Sequence, residues 1–290
     1  MLIRVEAAGV SYGDVMKRRG DFGEVGFPAG MGQEVAGVVA ADTPGGPAVG
    51  TRVAAMVDRG YAEYALARAD AVLPLPDSVA FPTAAALWVQ GLTAYQALTD
   101  AGGLTEGDTV LVHAAAGGVG TLATQLARLL GAATVIGTAG TPAKRDHVLA
   151  HGADLAVDYT DPNWAAAVRR ATGGRGADLV LDSVGGTISR QTLDCVAPFG
   201  RIVTFGAASR TPADYPAMAL MAGNLSVTGY ALQGRLAHRE RAVEALRRLI
   251  GFAADGRLRV AVTEYPLEAV AHAHRDLGDR RTVGKLVLRP

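Results

Sequence analysis

Residues 110–132 read VLVHAAAGGVGTLATQLARLLGA. A compact apolar run passes through small residues into a segment with Leu122, Leu126 and Leu129 on one helical face and Gly131 as a stop. Between them lies Ala114-x-x-Gly117-x-x-Gly120, a glycine-rich turn in which alanine holds the first place. The physics of such a turn asks for small residues. The second position lets the backbone approach a diphosphate, and the third lets helix and strand pack closely. Alanine at the first is tolerated if its backbone angles stay in an allowed region. The helix then offers N–H groups and the positive end of its dipole to an anion. One such turn says little alone; a strand before it and a helix after it give it weight.

Working outward, the next strand ends in Thr138-Ala139-Gly140, with no carboxylate until Asp146. An NAD site places an acidic residue here, about 20 residues on, to bond the ribose diol. A small uncharged pocket at Gly140, followed by Lys144 and Arg145, suits a ribose carrying a 2′-phosphate, so the residues favour NADPH. Apolar runs at 109–114, 134–139, 155–159, 178–183, 201–206 and 225–230 alternate with helical patterning. That alternation predicts βαβ units and a buried parallel sheet. Residues 1–75 differ, with short β-type runs punctuated by turns such as TPGGPAVG, and an alanine-rich helical stretch begins near residue 80. A helical run RERAVEALRRLIGFAADG and β-type segments close the chain and return to the first lobe.

The bulk composition narrows the classes. The chain has 290 residues, enough for two lobes, and a formal net charge of zero with no basic stripe, which argues against nucleic acid as partner. No apolar run approaches the roughly 20 residues that span a bilayer, and the start lacks a signal-peptide pattern. The single cysteine, Cys195, excludes an internal disulfide and a cysteine-rich zinc site. A cytoplasmic protein with no membrane partner is expected.

The order and spacing of GVSYGDVMKRRG, PAGMGQEVAGVV, GYAEYALA, QGLTAYQAL, VHAAAGGVG, GTAGTPAKRDHVLAHGADLAVDY, LVLDSVGG, GRIVTFGAAS and RTVGKLVL run over nearly the whole chain. The sequence resembles the zinc-independent quinone oxidoreductases, the ζ-crystallin-like branch of the medium-chain dehydrogenase/reductases. The resemblance implies an α/β plus β fold. A Rossmann doubly wound parallel sheet (92–232) is inserted in a GroES-like β-rich catalytic domain (1–91 and 233–290). Ala116, Gly117, Gly118 and Val119 match the family's diphosphate loop, Lys144 its 2′-phosphate lysine, and Tyr159 a tyrosine beside the adenosine. Ser183, Val184, Phe205 and Gly206 match segments near the ribose and nicotinamide. Tyr95 matches a residue near the nicotinamide, and Arg280 or Arg281 a C-terminal basic contact.

Departures matter too. Zinc-dependent relatives carry a cysteine in the segment reading SYGD and a Gly-His-Glu motif, where this chain has Gly32-Gln33-Glu34. A catalytic zinc needs three good ligands, so no metal is expected, and His272 and His274, two apart, do not share a helix face. Ser11 stands where many relatives have asparagine. Relatives also begin with a β-hairpin ahead of the run matching LIRVEAAG. Either the start is misassigned or the first lobe has an unpaired edge that invites association.

The implied reaction is hydride transfer from NADPH to a quinone or α,β-unsaturated carbonyl, with Tyr12, Tyr95 and Ser11 as hydroxyls available to a developing oxyanion. One alternative is an enoyl reductase on thioester-linked substrates. Another is a cofactor-binding structural or regulatory protein with little turnover. A homodimer paired through the last Rossmann strand, LSVTGYAL, would cover an apolar sheet edge. The stretches RRGDFGEVGFP and GYALQGRLAH are expected to line the substrate pocket.

Overall fold

The computed structural model describes residues 1–290 except 22, 24, 25 and 27, so part of RRGDFGEVGFP lies outside the described residues. The chain divides into two compact units, Met1–Leu92 with His238–Pro290, and Thr93–Ala237. The second boundary falls after the short helix Leu232–Leu236, which groups with the inserted unit.

The first segment supplies β1 (Leu2–Val10), β2 (Glu34–Ala41), β3 (Arg52–Met56), β4 (Tyr64–Leu66) and β5 (Val72–Pro74). The inserted segment supplies β6 (Thr109–Val112), β7 (Thr134–Thr138), β8 (Leu155–Val157), β9 (Ala177–Asp182), β10 (Val196–Thr204) and β11 (Ser226–Gly229). The chain then returns with β12 (Val262–Pro266) and β13 (Lys285–Arg289).

In the first unit these strands form one sheet, ordered β12-β13-β1-β2-β3-β5, with β4 also on β1. β1 is therefore central. Its first residues pair with β4 (Ile3 opposite Ala65), its last with β13 (Val10 opposite Leu286), and β2 runs along its other side. It is flanked on both sides. Its burial follows, alternating at first and then continuous from Ala7 to Val10. Ile3, Val35, Val53 and Leu288 meet in the core.

The inserted sheet is wholly parallel, ordered β11-β10-β9-β6-β7-β8. Leu111, Ile136, Val180 and Ile202 are register partners across four strands, and each is fully buried. Burying each such side chain contributes about 1.5–3 kcal/mol. The order in which strands are added reverses between β6 and β9, which run parallel, and the carboxyl ends of strands at such a switch point are where open α/β sheets bind ligands. Among the described residues no helix is long and apolar enough to cross a membrane.

Two segments depart from the sequence reading. Residues 12–19 form a helix within a stretch read as β, and the alanine-rich segment after residue 80 breaks into short pieces, two of them wide π-type turns at Leu87–Gly91 and Ala97–Ala101.

Candidate cofactor site

The turn after β6 is held by its own backbone. Ala115 N–H donates to the Thr138 carbonyl at 3.0 Å, and Gly117 N–H to the Ala114 carbonyl at 3.0 Å. Ala114 has φ 48°, in the left-handed region that favours glycine. The alanine that replaces the first glycine thus takes a left-handed conformation that a side chain adopts only at a cost.

The two remaining glycines serve different ends. A Cβ on Gly120 would lie 2.4 Å from the Ala114 carbonyl oxygen and 2.6 Å from Ala115 Cα, so this glycine is demanded by helix packing on the turn. A Cβ on Gly117 would meet only the Ala114 oxygen, at 3.3 Å. Packing therefore presses less on Gly117 than on Gly120, and a diphosphate against its backbone gives a further reason for glycine. Gly117 is also the N-cap of the helix Gly118–Leu129, and no side chain caps it. The N–H groups of that first turn, including those of Gly118 and Val119, are left to an anion. Ala116 beside them is buried. The residues present fit a dinucleotide diphosphate.

At the end of β7, Thr138-Ala139-Gly140 leads to Thr141, whose hydroxyl accepts from the Lys144 N–H at 3.3 Å and caps the helix Pro142–Ala150. Lys144 thus lies in the first turn of that helix. Arg145 is engaged by Asp158 at 2.7 Å. Tyr159 lies against Gly140, since a Cβ there would sit 3.1 Å from its hydroxyl. Gly140, Lys144 and Tyr159 are gathered at one end of the sheet.

β9 ends in Asp182, fully buried, whose Oδ1 accepts from Val184 N–H (2.8 Å) and Gly185 N–H (3.0 Å) and whose Oδ2 accepts from Ser189 (2.6 Å) and Tyr215 (2.6 Å). Burial pushes this carboxyl up, but those donors and the neighbouring His113 outweigh it, and the net direction is down. Burial pushes Tyr215 well above the ordinary phenol range, and the same carboxylate adds to it. Phe205 N–H donates to the Asp182 carbonyl at 3.0 Å, and Ala208 and Ser209 N–H groups reach the Ser183 and Val184 carbonyls. So Ser183, Val184, Phe205 and Gly206 are drawn together. Sequence reading passed over Asp182; its signal is a carboxylate closing an apolar strand just before Gly185-Gly186.

The proposed hydroxyls divide. Ser11 is the N-cap of the helix Tyr12–Arg19; its Oγ accepts from Asp14 N–H and donates to Asp14 Oδ2 at 2.7 Å. Its proton is committed to a buried carboxylate, which makes Ser11 a poor donor to substrate. Tyr12 is half-buried in that helix, and Tyr95, in the inserted unit, is buried. Arg280 is exposed, with φ 58°, and Arg281 pairs with Asp276 and Asp279. His272 is exposed, whereas His274 is buried with Nε2 3.2 Å from the Tyr61 hydroxyl. Burial pushes Tyr61 well above the ordinary range, and the Asp14 and Glu34 carboxylates add to it. Among the described residues no three His, Cys, Asp or Glu side chains gather as a metal-ligand group.

A parallel nucleotide-binding sheet inserted in a β-rich domain defines the class of two-domain dehydrogenases and reductases. Residues 1–77 match the alcohol dehydrogenase GroES-like domain, and residues 118–250 the zinc-binding dehydrogenase family. The chain is 36% identical to a quinone oxidoreductase of Pseudomonas aeruginosa, covering 99% of this chain and 90% of the relative. It is similar to the crystal structure of Escherichia coli quinone oxidoreductase complexed with NADPH, at 33% identity and TM-score 0.91, covering 100% of this chain and 91% of that one. It is also 35% identical, over 99% of its length, to a highly-reducing polyketide synthase of Aureobasidium melanogenum, of which it spans 13%. The chain belongs to the quinone oxidoreductase family of medium-chain dehydrogenase/reductases.

Proposed function

We propose that this chain is an NADPH-dependent reductase that passes hydride to a quinone or α,β-unsaturated carbonyl without a catalytic metal. The observation that carries the reading is the division of labour in the glycine turn, where Gly120 serves packing and Gly117, pressed less by it, serves a ligand. Bound NADPH supplies the hydride. The chain's part is to hold the diphosphate on the Gly117–Val119 backbone, the 2′-phosphate at Lys144 and the adenosine beside Tyr159. Ser183, Val184, Phe205 and Gly206 then present the nicotinamide end, with Arg280 as an outlying contact. Tyr12 and Tyr95 are the hydroxyls proposed to meet charge developing on the substrate oxygen. Gln33, where zinc relatives place histidine, supports the metal-free chemistry.

Titration of protein fluorescence with NADPH and NADH tests this. Lys144→Ala should weaken NADPH about ten-fold or more, the loss of one charge-assisted phosphate contact, and leave NADH nearly unchanged. Failure of the folded protein to bind either cofactor would sink the reading. The polyketide synthase relative favours a second substrate class, enoyl thioesters. Faster turnover of a crotonyl thioester than of a simple quinone would select it, and turnover of neither would favour a cofactor-binding role.

A homodimer through β11 is part of the proposal. That strand is the sheet edge, and Met218 and Met221 on the helix before it are 73% and 69% exposed. Sedimentation at micromolar concentration should give twice the chain mass; a monomer would count against it. The buried single Cys195, whose thiol burial pushes up to about 12, accords with a cytoplasmic setting.

A further inference from the structure

His113, the residue before the strained Ala114, is 1% exposed and lies between two threonines. Its Nε2 is 2.8 Å from Thr192 Oγ1 and its Nδ1 is 3.1 Å from Thr138 Oγ1. The Thr192 hydroxyl proton is already given to the Ile188 carbonyl at 2.8 Å. Nε2 must therefore carry the imidazole proton, and Nδ1 accepts from Thr138. Trp164 stands edge-on against the ring, with centroids 5.2 Å apart, and its own Nε1–H goes to Gln191. The imidazole is thus fixed in position, orientation and tautomer.

Each partner leads to a different part of the candidate site. Thr138 ends β7, its carbonyl accepts from Ala115 of the glycine turn, and Gly140 follows two residues later. Thr192 ends the helix Gly186–Thr192, which begins where the Ser183–Gly185 loop stops. We infer that His113 is a positioning residue with two separable arms: the Thr138 arm sets the adenosine 2′-phosphate end of the site, and the Thr192 arm sets the nicotinamide end. The inference rests on the NADPH reading above. A side chain that merely filled the core would need neither hydroxyl. Buried hydroxyls facing one ring from two cofactor-proximal segments convert a shift in either into a lost hydrogen bond.

The test uses near-isosteric variants of the full chain, Thr138→Val and Thr192→Val, titrated with NADPH and with 2′,5′-ADP, which carries only the adenosine end. Thr138→Val should weaken both ligands by a similar factor, roughly ten-fold. Thr192→Val should weaken NADPH by as much while leaving 2′,5′-ADP within about two-fold. Thr138→Ser and Thr192→Ser, which keep the hydroxyl, should restore binding, and they carry the test if a valine variant does not fold. Equal effects of both valine variants on both ligands, or serine variants that behave as valine, would mean general core disruption and overturn the two-arm assignment. Unaltered affinities in folded valine variants would overturn it as well. Wild-type protein that binds NADPH but shows no such split refutes the inference alone; wild-type protein that binds neither ligand refutes the cofactor reading on which it rests.

Discussion

Replacing Lys285 with methionine is expected to cost about 3–5 kcal/mol of folding stability. Lys285 is 2% exposed, and its Nζ donates to Glu34 Oε1 at 2.5 Å and to Gln90 Oε1 at 2.6 Å. Glu34, 1% exposed, takes its remaining donor from the Val89 N–H at 2.8 Å. The three side chains join β2, the Leu87–Gly91 turn and β13, and so bind the returning C-terminal segment to the first segment within one unit. Burial pushes the Glu34 carboxyl up, and Lys285 and the Val89 N–H partly offset this. Without the lysine a buried carboxylate has no counter-charge and must take up a proton to be tolerated. Its folded pKa would then rise further above the unfolded value, so the variant's deficit should narrow as pH falls and widen as pH rises. Glu34→Gln combined with Lys285→Met should recover a large share of the loss, because the penalty lies in the orphaned charge rather than in the missing attraction. Urea unfolding of the two variants at pH 5.5 and 7.5 checks this. A loss below 1 kcal/mol for Lys285→Met, or a double variant no better than the single one, would refute it.

The alternation of strands and helices from residue 109 to 229 was legible because a parallel sheet covered on both faces needs uninterrupted apolar runs, and runs such as LVLD leave little else to be. The cofactor candidates were legible for a related reason, since small residues at strand ends have few structural uses. The helix Tyr12–Arg19 went unread although its signals are present: Ser11-x-x-Asp14 is a capping box and Gly20 a left-handed stop. Its sparse apolar content hid it among turns. Glu34 and Lys285 could not be paired from sequence, because 251 positions separate them and nothing local marks either as buried. Ser11 shows a different limit. A hydroxyl near a suspected site reads as a donor until geometry shows where its proton goes. His113 likewise reads as an ordinary strand end, and only the two threonines facing it reveal a fixed tautomer.

Acidification should destabilise this protein through His113 by about 3 kcal/mol between pH 6.5 and pH 4, over and above the carboxylate contribution. Burial pushes the imidazole down to about 4, with attraction to Asp182 opposing, while an unfolded histidine titrates near 6.5. For a base with a lowered folded pKa, the unfolded chain binds the proton first as pH falls. Stability is therefore full above about 6.5 and is lost as pH drops toward 4, at about 1.4 kcal/mol per pH unit. The physical cause is that a charged imidazole would have no water and would lose its acceptance from Thr138. Asp182, which sits below the ordinary carboxylate range, stays ionised over most of this window and tempers the cost. His113→Gln keeps a polar side chain without the titration. It should be less stable than the wild type at pH 7, by the 1–3 kcal/mol of a disrupted buried hydrogen-bond pair. That deficit should shrink steadily on acidification, until the two unfold at similar urea concentrations near pH 4.5. Carboxylates common to both proteins cancel in the comparison, so the difference reports on position 113 alone. Parallel stability profiles from pH 7 to pH 4.5 would show that the folded protein accommodates a charged imidazole, and the fixed Nε2–H tautomer would have to be abandoned with it.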